Sequence, residues 1–305
     1  MATMTETPEA TAAQAPSHEY HAQAHVLSGE LKRPIEQKIE HHAQVALKDR
    51  RGGHLTRFTE DVSIEGLISF KTGVTRVSGG RSLKNHGWVT LSTSILGGLN
   101  VFEVITASRM VSQVSTEHPL ENGHIPHVTF LGTQFDNLRV SGFPVTLALD
   151  YGICGDKPEG DKSYLDDSGF LGRVKEQTGK IAHADGLPKD LKEQYDVRLT
   201  EINELIGGRN GGGKGCHEPK VTCSLVKSIG EIPIPGVRSF GHVLVIPEFG
   251  VVSLGEIEVG ERKYDSSETR PSNYFELTVI KMKLGCIGHG TVNGGTSSSN
   301  GNHKP

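Results

Sequence analysis

Residues 274–284 read YFELTVIKMKL. Phe275, Leu277 and Val279 alternate with Glu276 and Thr278, followed by Lys281 and Lys283. A side-chain period of two places one apolar and one polar row on opposite faces of a β-strand. A strand that is apolar on one face only needs a second layer to cover it, so this stretch argues for stacked sheets.

Working outward, the same signal returns at residues 220–229, 241–246 and 251–259, and earlier at 127–131 and 135–140. In residues 61–70 (DVSIEGLISF), Val62, Ile64 and Ile68 fall two or four apart, and Gly66 reads as a bulge within one strand. Residues 88–96 (WVTLSTSIL) and 101–114 read as neighbouring strands, with Gly97-Gly98 as the turn between them. Ser141-Gly142 separates 138–140 from 143–149 and predicts a tight hairpin. The 38 glycines among 305 residues are nearly double the usual share of about 7%, as many tight turns require.

Residues 163–206 are the exception. Leu191, Tyr195, Leu199, Ile202, Leu205 and Ile206 recur at threes and fours behind Pro188, which suits the first position of a helix. A weaker helix covers 170–182, where Gly172 and Gly179 each lower the propensity by about 1 kcal/mol. The expected architecture is therefore mainly β, an antiparallel β sandwich or barrel of jelly-roll type with a helical insertion at 163–206. A single β domain is expected over 18–291, with a Gly-rich linker at 207–215 and loose tails at 1–17 and 292–305. The last of these, VNGGTSSSNGNHKP, has too few apolar side chains to offset its ordering entropy.

Thirty-two Lys and Arg against 36 Asp and Glu leave a net charge of -4, which excludes nucleic-acid binding by electrostatics. No apolar run approaches the roughly 20 residues of a membrane helix, so membrane insertion is not expected. Residues 1–17 carry neither a basic start nor an apolar stretch, so no secretory signal is read and a cytoplasmic location is expected, with a surface location by another route left open.

Motifs that could carry chemistry are few. Residues 208–215 (GRNGGGKG) match a phosphate loop until its last position, where Ser or Thr is missing, and a helix precedes the segment where a strand should. Cys216 and Cys223 (CHEPKVTC) are spaced too widely for a structural zinc knuckle and read as reduced thiols, or as a loop-closing disulfide if the protein meets an oxidising compartment. The acidic run 156–167 lacks the ligand spacing of a calcium loop. Histidines offer the clearest alternative. In HEYHAQAH, the alternation of Tyr20, Ala22, Ala24 and Val26 favours a strand with His21, Gln23 and His25 on its polar side. Neutral imidazoles suit zinc or another divalent metal, and the candidate set is His21, His25, His41 and His42, with His54 in reserve. No other cofactor is expected.

Two stretches carry a family likeness. VITASRM and QFDNLRVSGFPVTLAL within 99–150, and VIPEFGVVSLGEIEV and FELTVIKMKLGC within 240–294, resemble the strand order and turn phrases of choice-of-anchor P type bacterial domains, and the whole chain is similar to a group of uncharacterised bacterial proteins. The resemblance implies an all-β fold and a non-enzymatic role. With no nucleophile, base and cofactor signature in one place, the expectation is a non-catalytic β-rich binding or assembly module that self-associates or binds a protein partner. The alternative is a metal-dependent enzyme or metal-binding protein using the N-terminal His cluster.

Overall fold

A computed structural model describes residues 17–33, 36–82, 87–120, 125–160, 162–208, 218–263, 271–285 and 289–304. The first half forms β1 (Ser17–Leu31), β2 (Gln37–His42), β3 (Val45–Asp49), β4 (Gly53–Ile64), β5 (Ile68–Arg81), β6 (Gly87–Val101) and β7 (Ile105–Pro119). Five short strands follow: β8 (His127–Thr129), β9 (Gln134–Asp136), β10 (Arg139–Val140), β11 (Phe143–Pro144) and β12 (Leu147–Leu149). Helices α1 (Ser168–Ala182) and α2 (Lys189–Ile206) form the insertion. The chain returns through β13 (Lys220–Ser224), β14 (Val226–Ile229), β15 (Arg238–Phe240), β16 (Val243–Ile246), β17 (Gly250–Arg262), β18 (Ser272–Leu284) and β19 (Gly290–Lys304).

Two antiparallel sheets stack face to face. The nine-stranded sheet runs β15-β16-β17-β18-β19-β1-β2, with β13 beside β17 and β3 beside β1. The eight-stranded sheet runs β11-β10-β7-β6-β5-β4, with β8 and β9 beside β7. Their inner faces share one apolar cluster that draws Leu27, Phe70, Leu96 and Met110 from before the insertion and Val252, Leu254, Ile280 and Met282 from after it. The helices pack on this sandwich. Phe170 and Val174 of α1 fill the flank between the sheets with Tyr164, Phe275 and Val114, while Leu191 and Tyr195 of α2 lie on Phe240 and Val243. Asp167 caps α1 by accepting the Phe170 N–H at 2.7 Å.

Four sequence expectations are corrected. The stretch from Val292, expected to be a loose tail, is the body of β19, which pairs with β1 on one side and β18 on the other. Its Ser297 and Ser299 are buried; their ordering is offset by hydrogen bonds rather than by apolar area. Ser17, expected within the other tail, opens β1, and the rest of that tail, like most of the 207–215 linker with Cys216 and Cys286, lies outside the described residues. Gly66 is no bulge: with Glu65 it forms the hairpin turn between β4 and β5, both residues at positive φ. Gly97-Gly98 lie inside β6, and the turn into β7 falls instead at Phe102-Glu103, again both at positive φ. Type I′ geometry of this kind matches strand twist, and the Ser141-Gly142 hairpin shows it too.

The sheets are joined by side-chain hydroxyls. Ser92 and Ser94 of β6 donate to the Gln23 and His25 carbonyls of β1 at 2.7 and 2.9 Å. Ser112 of β7 donates to Leu277 O at 3.0 Å, Ser297 of β19 donates back to Ser112 O at 3.1 Å, and Thr116 meets Ser299 at 2.7 Å. A seryl hydroxyl cannot span the usual gap of about 10 Å between stacked sheets, so the sheets approach more closely here and only small residues fit. A Cβ on Gly294 would lie 2.9 Å from Ile280 and 3.1 Å from Leu96. Gly294→Val is accordingly expected to cost about 1–3 kcal/mol by overpacking, seen as a lower urea midpoint, and truncation after Leu284 is expected to abolish cooperative unfolding.

Candidate functional site

The predicted histidines are placed on a strand as their alternation implied: Ala22, Ala24 and Val26 are buried, and His21, Gln23 and His25 face outward. β1 and β2 bring His25 and His41 together with ring centroids 4.4 Å apart. His21 lies near Glu19, at 3.9 Å. His42 turns its ring edge to Phe70, and His54 stands on β4 beside Thr56. Among the described residues no three His, Cys, Asp or Glu side chains gather as a group able to hold a metal ion. Burial, then the neighbouring His41, holds the His25 imidazole down at about 4, and Ser28 Oγ lies 3.0 Å from its Nε2.

The densest polar constellation lies elsewhere, between α2 and the nine-stranded sheet. Glu256 of β17 is buried. Arg198 of α2 reaches its Oε1 through two nitrogens at 3.3 and 3.4 Å, and Lys281 of β18 lies 3.4 Å from Oε2. His242 Nε2 sits 3.7 Å from Oε1 and 3.2 Å from the Tyr195 hydroxyl. Burial alone would push the Glu256 carboxyl up, but His242, Arg198 and Lys281 together hold it well below the usual carboxylate range. Burial raises the Tyr195 phenol, which stays protonated.

A second row follows along the same strands. Glu258 accepts from Tyr274 and Lys220, each at 2.8 Å, and stands opposite Glu276 in the β17–β18 register. Burial, then the Glu258 charge, raises the Glu276 carboxyl. A cleft of about 250 Å³ beside α2 is lined by Arg198, Glu201, Lys220, Thr222, Glu258 and Lys281. Glu256 and Glu276, one carboxyl lowered and the other raised, are the kind of pair that acid–base chemistry uses. Here, however, Glu258 is tied to Lys220 and Tyr274, and Glu256 has lost the basicity to take a proton. The arrangement docks α2 onto the sheet by charge pairing. Sequence reasoning passed over it, although a Glu inside the apolar run of residues 251–259 was a visible signal.

Two further features complete the candidate surfaces. His18 stacks on Trp88 at 5.2 Å and meets His118 at 4.6 Å, an aromatic plug at one end of the sandwich. Cys154 and Cys223 are buried free thiols. At the margin of the eight-stranded sheet, β4 pairs with β5 on one side and with no described strand on the other. It exposes Leu55 and Phe58, 44% and 57% accessible.

These features define a two-sheet antiparallel β sandwich with a two-helix insertion, an open sheet edge and a charge-paired helix seat. The chain belongs to the family described as a domain of unknown function, DUF8256, which matches residues 18–260, from β1 into β17. No curated protein and no solved structure matches it. Among the described residues no helix is long and apolar enough to cross a membrane.

Glu256→Gln is expected to destabilise the fold by about 3–5 kcal/mol, because Arg198 and Lys281 keep their charge at a neutralised partner. Thermal unfolding measures this. Since the folded carboxyl is depressed, its contribution is present above the carboxylate range and fades as pH falls. For His25 the unfolded chain binds the proton near 6.5 and the folded chain near 4. Between those values the unfolded state holds more protons, so stability falls as pH drops through that window, by at most about 3 kcal/mol. A stability–pH curve for His25→Gln should be flatter there than the parent's; identical slopes would refute the assignment.

Proposed function

We propose that this protein is a non-catalytic assembly module that self-associates through the open edge of β4. The observation that carries the reading is a 12-residue strand whose outer backbone groups pair with no described strand and whose exposed side chains include Leu55 and Phe58. Such an edge is a template for another strand, and a second copy fits it. In a twofold antiparallel pair centred on Phe58, the two Phe58 side chains fall opposite each other as an aromatic cross-strand pair. The likeness to choice-of-anchor P type bacterial domains supports the same non-enzymatic role.

Light scattering across a dilution series tests it. A concentration-dependent dimer is expected for the parent chain and a monomer for Phe58→Lys, which puts a charge on the edge without touching the core. A parent chain that stays monomeric throughout, or a Phe58→Lys chain that dimerises as well as the parent, would remove the proposal.

A further inference from the structure

β6 is inverted relative to an ordinary sandwich strand. Its inward row includes Thr90, Ser92 and Ser94, all fully buried, while Leu91 and Ile95 point away from the other sheet and remain half-buried at the surface. Register extends the outward apolar row across four strands, Phe58–Val74–Ile95–Val111. Gly132, in the loop before β9, and Gln134 of β9 line a cleft of about 410 Å³, half open to solvent, together with Leu91, Ile95 and Val111. That volume falls within the range of small-ligand sites.

Arg76 and Arg109 line this floor. Arg109 is held by Asp136 at 3.6 Å and by Gln134 at 2.7 Å, and Arg139, in the neighbouring concavity, donates to Gly142 O at 2.8 Å. Arg76, from the adjacent outward position of β5, lines the same cavity and is exposed, and its guanidinium forms no ion pair or hydrogen bond with any described residue. Lys71 adds a further positive charge in the neighbouring concavity. A chain of net charge -4 thus keeps an unengaged guanidinium over an apolar floor that the sandwich core does not use.

We propose that this outer face binds a small amphiphilic organic anion, its acidic group on Arg76 and its apolar body along Leu91, Ile95 and Val111. A guanidinium fork offers two parallel N–H donors to a carboxylate, and the row of β-branched and leucyl side chains removes the tail from water.

Titration calorimetry of the full chain with decanoate tests it, with decanol and acetate as the apolar-only and charge-only probes. Decanoate is expected to bind saturably, acetate and decanol at least tenfold more weakly. Arg76→Gln and Ile95→Ser should each weaken decanoate at least tenfold while leaving the circular dichroism spectrum and urea midpoint near those of the parent. Since Arg76 is exposed, its variant stays informative if Ile95→Ser unfolds. Absence of saturable decanoate binding, acetate binding as tight as decanoate, or indifference to Arg76→Gln would each overturn the proposal. So would a Glu-rich peptide that binds where decanoate does not, which would make the face an acidic-protein contact.

Discussion

The hydroxyl-to-carbonyl bonding between the two sheets sets the terms for the rest of the molecule. A strand carbonyl engaged in a sheet ladder retains a second lone pair, and Ser92, Ser94 and Ser112 use that spare capacity on β1 and β18. Each bond contributes only about 1 kcal/mol net, but the geometry it demands is strict. Backbones must come close enough for a seryl side chain to bridge them, and the strand in the middle must carry small residues. That is the composition of β19, which packs Gly294 against Leu96 and Ile280 and lays Ser297 and Ser299 on β7. Apolar packing is displaced to either side of this seam, toward Leu27 and Met282 at one end and toward Tyr164 and Phe275 beneath α1.

A bend accompanies the seam. Pairing skips Val279 and Gly295 between β18 and β19, Gly295 and Val26 between β19 and β1, and Gly255 and Val279 between β17 and β18, so the irregular positions line up across the sheet. Gly255 and Gly295 both take φ of 61°, a conformation that reverses side-chain alternation. The inward rows accordingly change parity, from Phe275 and Leu277 to Met282 and Leu284 in β18. The other sheet bends at a corresponding row through Gly98, at φ 67°.

These constraints explain what the sequence disclosed. The polar positions of residues 274–284 change parity between Thr278 and Lys281, and the strand was legible on either side of the break. The helices were legible because α2 repeats Leu191, Tyr195 and Ile202 at helical spacing on a scaffold that otherwise has period two; it starts at Lys189, directly after Pro188. Gly97-Gly98 misled because a diglycine signals a turn in most contexts, whereas here it serves the bend, and the turn itself uses Phe102 and Glu103, residues with no turn signature. β19 was illegible because entropy arguments count apolar side chains, and a Ser/Gly strand is stabilised here by partners of which β1 and β7 lie more than a hundred residues away. The charge cluster at Glu256 depends on α2 folding back onto β17, a juxtaposition that spacing along the chain does not encode.

The polar seam also fixes the character of the outside. Strand residues alternate, and strands favour β-branched and large apolar side chains. Where the inward positions of β6 are committed to Thr90, Ser92 and Ser94, the apolar side chains that sustain the strand fall outward, at Leu91 and Ile95, and at Val74 and Val111 on either side. The nine-stranded sheet manages its outer face differently: α2 covers Phe240 and Val243 with its apolar stripe, and the buried Glu256 beneath it pairs with Arg198 and Lys281. No described helix performs that service for the eight-stranded sheet, whose face and free margin therefore keep an apolar row ending at Phe58. Close approach of the sheets, polar bonding inside and apolar side chains turned outward on the sheet opposite α2 are one set of consequences of the same seam.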